Sequence, residues 1–89
     1  MTSPDWILDM DSRLAWLLIS VSFRVNRELQ DLLPILKEHC SPEEYEDIAQ
    51  GIARSIHAIN TALIDKALAS HPELADRIEA DLAKFGRVL

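Results

Sequence analysis

The sequence predicts an all-α fold in which two long antiparallel helices and a short C-terminal helix dimerise into a helical bundle. Between Asp11 and Lys37, apolar residues recur at alternating steps of three and four, which is the spacing of one helix face. Helix-start signals at Ser41 and Ser70 divide the rest of the chain into two further helices. A helix of about 25 residues is about 37 Å long, so a single layer of three helices would be thin and would leave apolar surface exposed. A second copy of the chain would cover that surface.

Length and charge narrow the classes of protein. The 89 residues suit a single helical domain, and a net charge of −6 with scattered cations argues against nucleic-acid binding. The longest uncharged run, residues 14–23, is about half of what a membrane-spanning helix needs. The N-terminus has no basic region of the kind that opens a secretory signal. With Cys40 as the single cysteine, these features predict an acidic cytoplasmic protein without a membrane partner.

The first helix is predicted over residues 4–38. Ser3, Pro4 and Asp5 form a start signal: a capping hydroxyl, a proline in the first turn and an acid facing the positive end of the helix dipole. Pro34 removes one backbone hydrogen bond and disfavours helical geometry at Leu33, so a kink or a break is expected there.

One apolar stripe of this first helix organises the rest of the chain, which is expected to pack against it. Large apolar side chains beside the stripe widen it to an arc too broad for one neighbour, which indicates burial by a second chain as well. The predicted dimer or partner interface consists of Leu14, Leu18, Val21, Val25, Leu29 and Leu32.

The second helix is predicted over residues 42–69. It begins at a capping box, in which Ser41 and Glu44 satisfy each other's backbone N–H groups. Beside its apolar stripe runs a row of small side chains, which would admit a neighbouring helix or accept aromatic rings such as Trp16 and Phe23. The small row consists of Gly51, Ser55, Ala58 and Ala62.

The third helix is predicted over residues 72–85. Ser70 and Glu73 repeat the capping-box spacing at its start, and Gly86 is a suitable residue to end it. Val88 is then expected to fold back as the apolar contact of the C-terminal cap.

Four polar residues are weak candidates for binding a ligand: Arg24, Arg27, Asn26 and His57. The two arginines could clamp a carboxylate or phosphate, but Glu28 and Asp31 lie four residues further on, and surface ion pairs are the preferred interpretation. Asn26 faces the apolar arc and either fixes the register of the bundle or lines a polar notch. His57 has no acid or nucleophile positioned with it, so an interface role is preferred to a chemical one.

No cofactor or metal site is predicted. His39 and Cys40 are adjacent, yet a closed zinc site needs about four such ligands at set spacings. Common nucleotide-binding, hydrolase, redox and zinc-protease motifs are not found in the sequence, so no catalytic residue is assigned.

These observations favour a protein–protein interaction module, such as a small cytoplasmic adaptor, regulator or chaperone-like homodimer. Excess apolar helix surface is the reason. Two alternatives stay open. One is a carboxylate- or phosphate-binding protein or enzyme with a site between helices, and the other is a structural subunit of a larger assembly.

Overall fold

A computed structural model describes residues 11–88, which form helices and short connections without a strand. The segments are α1 (Ser12–His39), α2 (Pro42–Ile59), a π-helical turn (Asn60–Ile64), α3 (Asp65–Ser70) and α4 (Leu74–Phe85). Because α2, the π-helical turn and α3 follow one another without a gap, the chain folds into three helical rods, as predicted. The predicted start of the first helix at Ser3 and Pro4 lies outside the described residues.

Helix α1 begins at Asp11, whose carboxylate accepts a hydrogen bond from the Leu14 backbone N–H at 2.8 Å. It continues through Pro34 to His39, so the break considered there does not occur. Proline removes only its own bond to the Gln30 carbonyl, and the intact bonds on either side hold the helix together. The exposed position of Pro34 lets water solvate that carbonyl.

Helix α2 begins at the predicted capping box. The Glu44 backbone N–H donates to the Ser41 hydroxyl at 3.2 Å, and the Ser41 N–H donates to the Glu44 carboxylate at 3.1 Å. The two connecting residues after α1 are too few to let the chain return in parallel, so α1 and α2 lie antiparallel.

The π-helical turn changes which face of the second rod is buried. Counted from the buried Ile52 at about 100° per residue, Ile64 would lie about 120° away, outside the core face. A π turn holds one extra residue and rotates the subsequent residues back by about 100°. Ile64 and Ala67 are therefore buried, whereas the neighbouring Leu63 is exposed.

The core lies at one end of the molecule, where the first half of α1 meets α3 and α4. Trp16 packs there, and the guanidinium of Arg77 lies 3.9 Å from the centre of its ring, a cation–π contact that closes the outer edge of the core. Gly86 ends α4 with a φ of 73°, and Val88 folds back to a buried position. The core residues are Ala15, Trp16, Ile19, Ala67, Leu74, Ile78 and Val88.

The molecule is one helix thick. Its principal extents are 52 × 38 × 13 Å, and an α-helix with side chains is about 10–12 Å wide. Its radius of gyration of 16.2 Å exceeds the roughly 12 Å of a compact domain of this length. The end formed by residues 29–39 and 42–59 has Ile52 as its one buried residue. Among the described residues, no helix is long and apolar enough to cross a membrane.

Candidate functional site

Most of the predicted interface residues on α1 are exposed in the single chain. The core cluster makes contact with Leu18, which is half-buried, as is Leu29. Four of the six are exposed, by the following fractions: Leu14 51%, Val21 38%, Val25 38% and Leu32 44%. The exposed stripe also includes Leu17 and Ile35, at 55% and 56%.

The expectation that the rest of the chain packs directly on this stripe is therefore wrong. The chain instead buries the neighbouring face of α1, which carries Ala15, Ile19, Ser22 and Asn26. Ala15 and Ser22 on that face have small side chains, so α2 and α3 can approach it closely. The Ser22 hydroxyl donates to the Leu18 carbonyl at 2.7 Å, which satisfies its one polar group without a partner from another helix.

The small row on α2 does not receive the aromatic rings expected there. Trp16 packs in the core with α3 and α4, and Phe23 also lies against that core. A Cβ atom added at Gly51 would meet nothing within 4 Å. Gly51 is half-buried, and the other members of the row are exposed: Ser55, Ala58 and Ala62.

The stripe on α1 and the small row on α2 lie on the same side of the layer. In an antiparallel pair of helices, the residue one position before a contact residue lies on the same side of the layer in both helices. Val25 is about 100° behind Asn26, and Gly51 is about 100° behind Ile52, by the rotation of a regular helix. We call this side the apolar face: Leu14, Leu17, Val21, Val25, Leu32 and Ile35 of α1 with Ile48, Gly51, Ser55 and Ala58 of α2 and Ala62 of the π-helical turn.

A cleft opens on the opposite side of the layer, with a volume of about 510 Å³. Binding sites for small molecules range over about 300–1,000 Å³. Three elements supply its walls. They contribute Phe23, Asn26, Arg27 and Gln30 from α1, Ile56, Asn60, Ile64 and Asp65 from the second rod, and Leu82, Gly86, Arg87 and Val88 from the end of α4.

Two amide side chains meet in this cleft. Asn26 is 8% exposed, and its Nδ2 donates to Oδ1 of Asn60 at 2.8 Å. Within residues 11–88, Asn26 Oδ1 is buried and accepts no hydrogen bond. Because Asn60 Oδ1 is turned toward Asn26, its Nδ2 group is directed elsewhere and remains a donor for another molecule.

Two arginines line the same cleft. Arg27 is half-buried and Arg87 is exposed, and no carboxylate in the described part of the chain lies within 4.0 Å of either. The ion pair expected between Arg27 and Asp31 is therefore not formed. Among residues 11–88, Asp65 is the one carboxylate that lines the cleft.

The structure brings together two of the four predicted ligand candidates, Asn26 and Arg27. Arg24 is exposed outside the cleft and does not form the expected pair with Glu28. His57 lines a shallow groove of about 330 Å³ between α1 and α2, which adjoins the cleft and shares Gln30, Ile56 and Asn60 with it. Sequence reasoning missed Asn60 and Arg87. The polar Asn60 lies between the apolar residues Ile56 and Ile64 of the second rod, which was an available signal.

Metal-binding geometry is not found among the described residues, where no three His, Cys, Asp or Glu side chains converge on one point. Cys40 is a half-buried free thiol. Hydrogen bonds lower the pKa of Glu44 and Glu73. Both residues are exposed at the starts of helices and do not line the cleft. For Glu73 the lowering of the pKa comes first from its own backbone N–H and then from His71, which lies 3.0 Å from the carboxylate.

No protein-family model, no curated protein and no solved structure matches this chain.

Proposed function

We propose that the chain is a protein–protein interaction module that acts as a homodimer through its apolar face. The observation that carries the proposal is the exposure of this face on a layer only one helix thick. In a two-layer domain a second layer would bury such a face.

The shape of the apolar face favours a second copy as the occupant. Bulky side chains such as Val25 and Leu32 project from α1, and the small row on α2 beside them offers a shallow trough. A two-fold rotation would place α1 of each protomer over α2 of the other, so that the same patch serves both. The end formed by residues 29–39 and 42–59, where Ile52 is the one buried residue, would then gain a core.

In this proposal the homodimer works in the cytoplasm as a small adaptor, regulator or chaperone-like protein. A net charge of −6 would keep the dimer soluble. The single free thiol, Cys40, suits a reducing compartment. The first experiment addresses dimerisation, because the surface that a partner protein could bind depends on which face the dimer covers.

The test is the mass in solution, measured by light scattering over a dilution series, for three proteins. The unaltered chain is expected to be a dimer. Val25→Glu places an unpaired charge in the interface, at a cost of several kcal/mol, and is expected to give a monomer. Because Val25 lies outside the core, the helical circular dichroism of this monomer should persist.

Ala80→Glu, on an exposed site of α4, adds the same charge away from the apolar face and should remain dimeric. A dimer that survives Val25→Glu, or an unaltered chain that stays monomeric at the highest concentration, would contradict the proposal. A larger assembly would instead favour the role of a structural subunit.

A further inference from the structure

We propose that the cleft between α1, the π-helical turn and the end of α4 binds a small organic monocarboxylate with an apolar body. This inference is independent of the dimer, since the cleft lies on the opposite side of α1 from Val25 and stays open when the apolar face is covered.

The charges of the cleft favour an anion. Arg27 and Arg87 both line it, and neither is neutralised by a carboxylate within 4.0 Å in the described chain. Guanidinium is planar and binds a carboxylate through two parallel hydrogen bonds. Such a pair of charges facing one cleft is a ready anion site once a ligand displaces the water around it.

Asp65 limits the charge of that anion. Among residues 11–88 it is the one carboxylate that lines the cleft, so this described lining carries two positive charges and one negative charge. A monoanion balances this arrangement, whereas a phosphate monoester, with a charge of about −1.5 to −2, would exceed it. The charge balance therefore favours a carboxylate over a phosphate.

The amide pair supplies a polar floor beside the arginines. Asn26 holds Asn60 by the 2.8 Å hydrogen bond, which fixes the direction of the Asn60 side chain. The Nδ2 group of Asn60 is then held as a third donor for the carboxylate.

The π-helical turn gives a second reason to place a site here. Asn60 and Ile64 are the two ends of the turn, and both belong to the cleft wall, as does Asp65 directly after it. π turns of this kind occur frequently at functional sites, because the inserted residue directs side chains that a regular helix could not bring together.

The remaining wall is apolar and would hold the body of the ligand. Phe23, Ile56 and Leu82 face the cleft from three elements, and Leu82 is 44% exposed in the single chain. Burial of these side chains against a hydrocarbon or aromatic group would supply the affinity, and the arginines would supply the selectivity for an anion.

The experiment is an NMR titration of the full chain with phenylacetate and with hexanoate, following the backbone amide signals. At least one of the two is expected to shift the signals of Asn26, Asn60 and Arg87 with saturation. Phenylacetamide, which has the same body without the charge, is expected to bind at least about tenfold more weakly, as loss of a charge-assisted hydrogen bond implies. Phenyl phosphate is expected to bind more weakly than phenylacetate.

Variants of the cleft complete the test. Arg27→Gln and Arg87→Gln should each weaken binding by roughly tenfold or more, and Asp65→Asn should strengthen it. Arg24→Gln removes an equal charge from the same helix outside the cleft and should leave the affinity unchanged. The proposal is overturned if neither carboxylate gives saturable shifts, if the shifts map to the apolar face, or if Arg24→Gln weakens binding as much as Arg27→Gln does.

Discussion

The hydrogen bond from Asn26 Nδ2 to Asn60 Oδ1, 2.8 Å long, joins the middle of α1 to the first residue of the π-helical turn. The two residues are 34 positions apart, and the bond lies beside the cleft rather than in the apolar core. It leaves Asn26 Oδ1 without a donor, so the pair is only partly satisfied.

The amide pair should show strong coupling in a double-mutant cycle. Asn60→Leu removes the acceptor and leaves the whole buried Asn26 amide unsatisfied, which should lower the free energy of unfolding by about 1–3 kcal/mol. Asn26→Leu combined with Asn60→Leu removes both amides and should be close to the unaltered protein in stability. Urea denaturation of Asn26→Leu, Asn60→Leu and the double variant, each compared with the unaltered chain, measures the coupling. Additive losses would show that the two side chains act independently.

The three rods could be predicted because their signals are local. Ser41 and Glu44 form the capping box that their spacing indicates, and Gly86 ends α4 in the left-handed conformation that favours glycine. Each signal depends on a few residues near one helix end. The same signal at Ser70 and Glu73 is wrong: Ser70 is the last residue of α3, and α4 begins at Leu74 without a side-chain cap, while Glu73 contacts His71.

The choice of buried face could not be predicted in the same way. On α1, the stripe that includes Val25 and the face that includes Asn26 both have helical spacing. Hydrophobicity alone predicts burial of the stripe with Val25, whereas the chain buries the face with Asn26. On the second rod, burial moves from the row of Ile52 to that of Ile64 at the π-helical turn. That change depends on how α3 meets α1, and no residue near Asn60 indicates it locally.

The cleft was predictable only in part for a related reason. Asn26 and Arg27 were candidates because polar groups next to an apolar arc stand out in a helical pattern. Arg87 joins them through the turn at Gly86, a tertiary arrangement without a periodic signal. The expected pairing of Arg27 with Asp31 followed sequence spacing, but the structure shows no contact within 4.0 Å.

Gly51→Ala should stabilise the monomer. Gly51 lies in the interior of α2, and the added Cβ would meet nothing within 4 Å. Alanine is better than glycine in a helix interior by about 1 kcal/mol, so the free energy of unfolding should rise by up to this amount. The comparison is best made in the Val25→Glu background, where association would not contribute.

Gly86→Ala is the matched control. Gly86 also has open space around it, but its φ of 73° is strained for alanine. The change should therefore lower the free energy of unfolding by about 1 kcal/mol. A loss of stability from Gly51→Ala in the monomer would show that the α2 row contacts another part of the chain.

The capping box should give a pH-dependent contribution to stability. Hydrogen bonds from the side chain and then the backbone of Ser41 lower the pKa of Glu44 below its ordinary value of 4.5. A carboxyl group whose pKa is lowered on folding stabilises the folded state at pH values above 4.5. This stabilisation is lost as the pH falls below 4.5 and through the lowered pKa.

Urea midpoints of the unaltered chain and of Glu44→Ala, measured between pH 7 and pH 3, test this expectation. The difference between the two proteins should be constant above pH 4.5 and should narrow below it. Glu43→Ala removes a charge from the same helical turn without breaking the box and should show a smaller change with pH. A difference that stays constant down to pH 3 would mean that the carboxylate charge of Glu44 does not contribute.

Deletion of Thr61 tests whether the π-helical turn is a single inserted residue. Thr61 is exposed within the turn, and its removal should convert Asn60–Ile64 into regular α-helix while Ile64 and Ala67 stay on the core side. Helical circular dichroism should be retained, and the free energy of unfolding should change by less than about 1 kcal/mol, as for an ordinary surface change. Deletion of Arg24 also removes an exposed residue, but from a regular stretch of α1, and it turns the two halves of that helix by about 100° relative to each other. Because Ile19 and Asn26 could not then face α2 and α3 together, this control should lose most of its stability. An equally large loss from both deletions would show that the π-helical turn is required for folding, and not only an insertion that the helix accommodates.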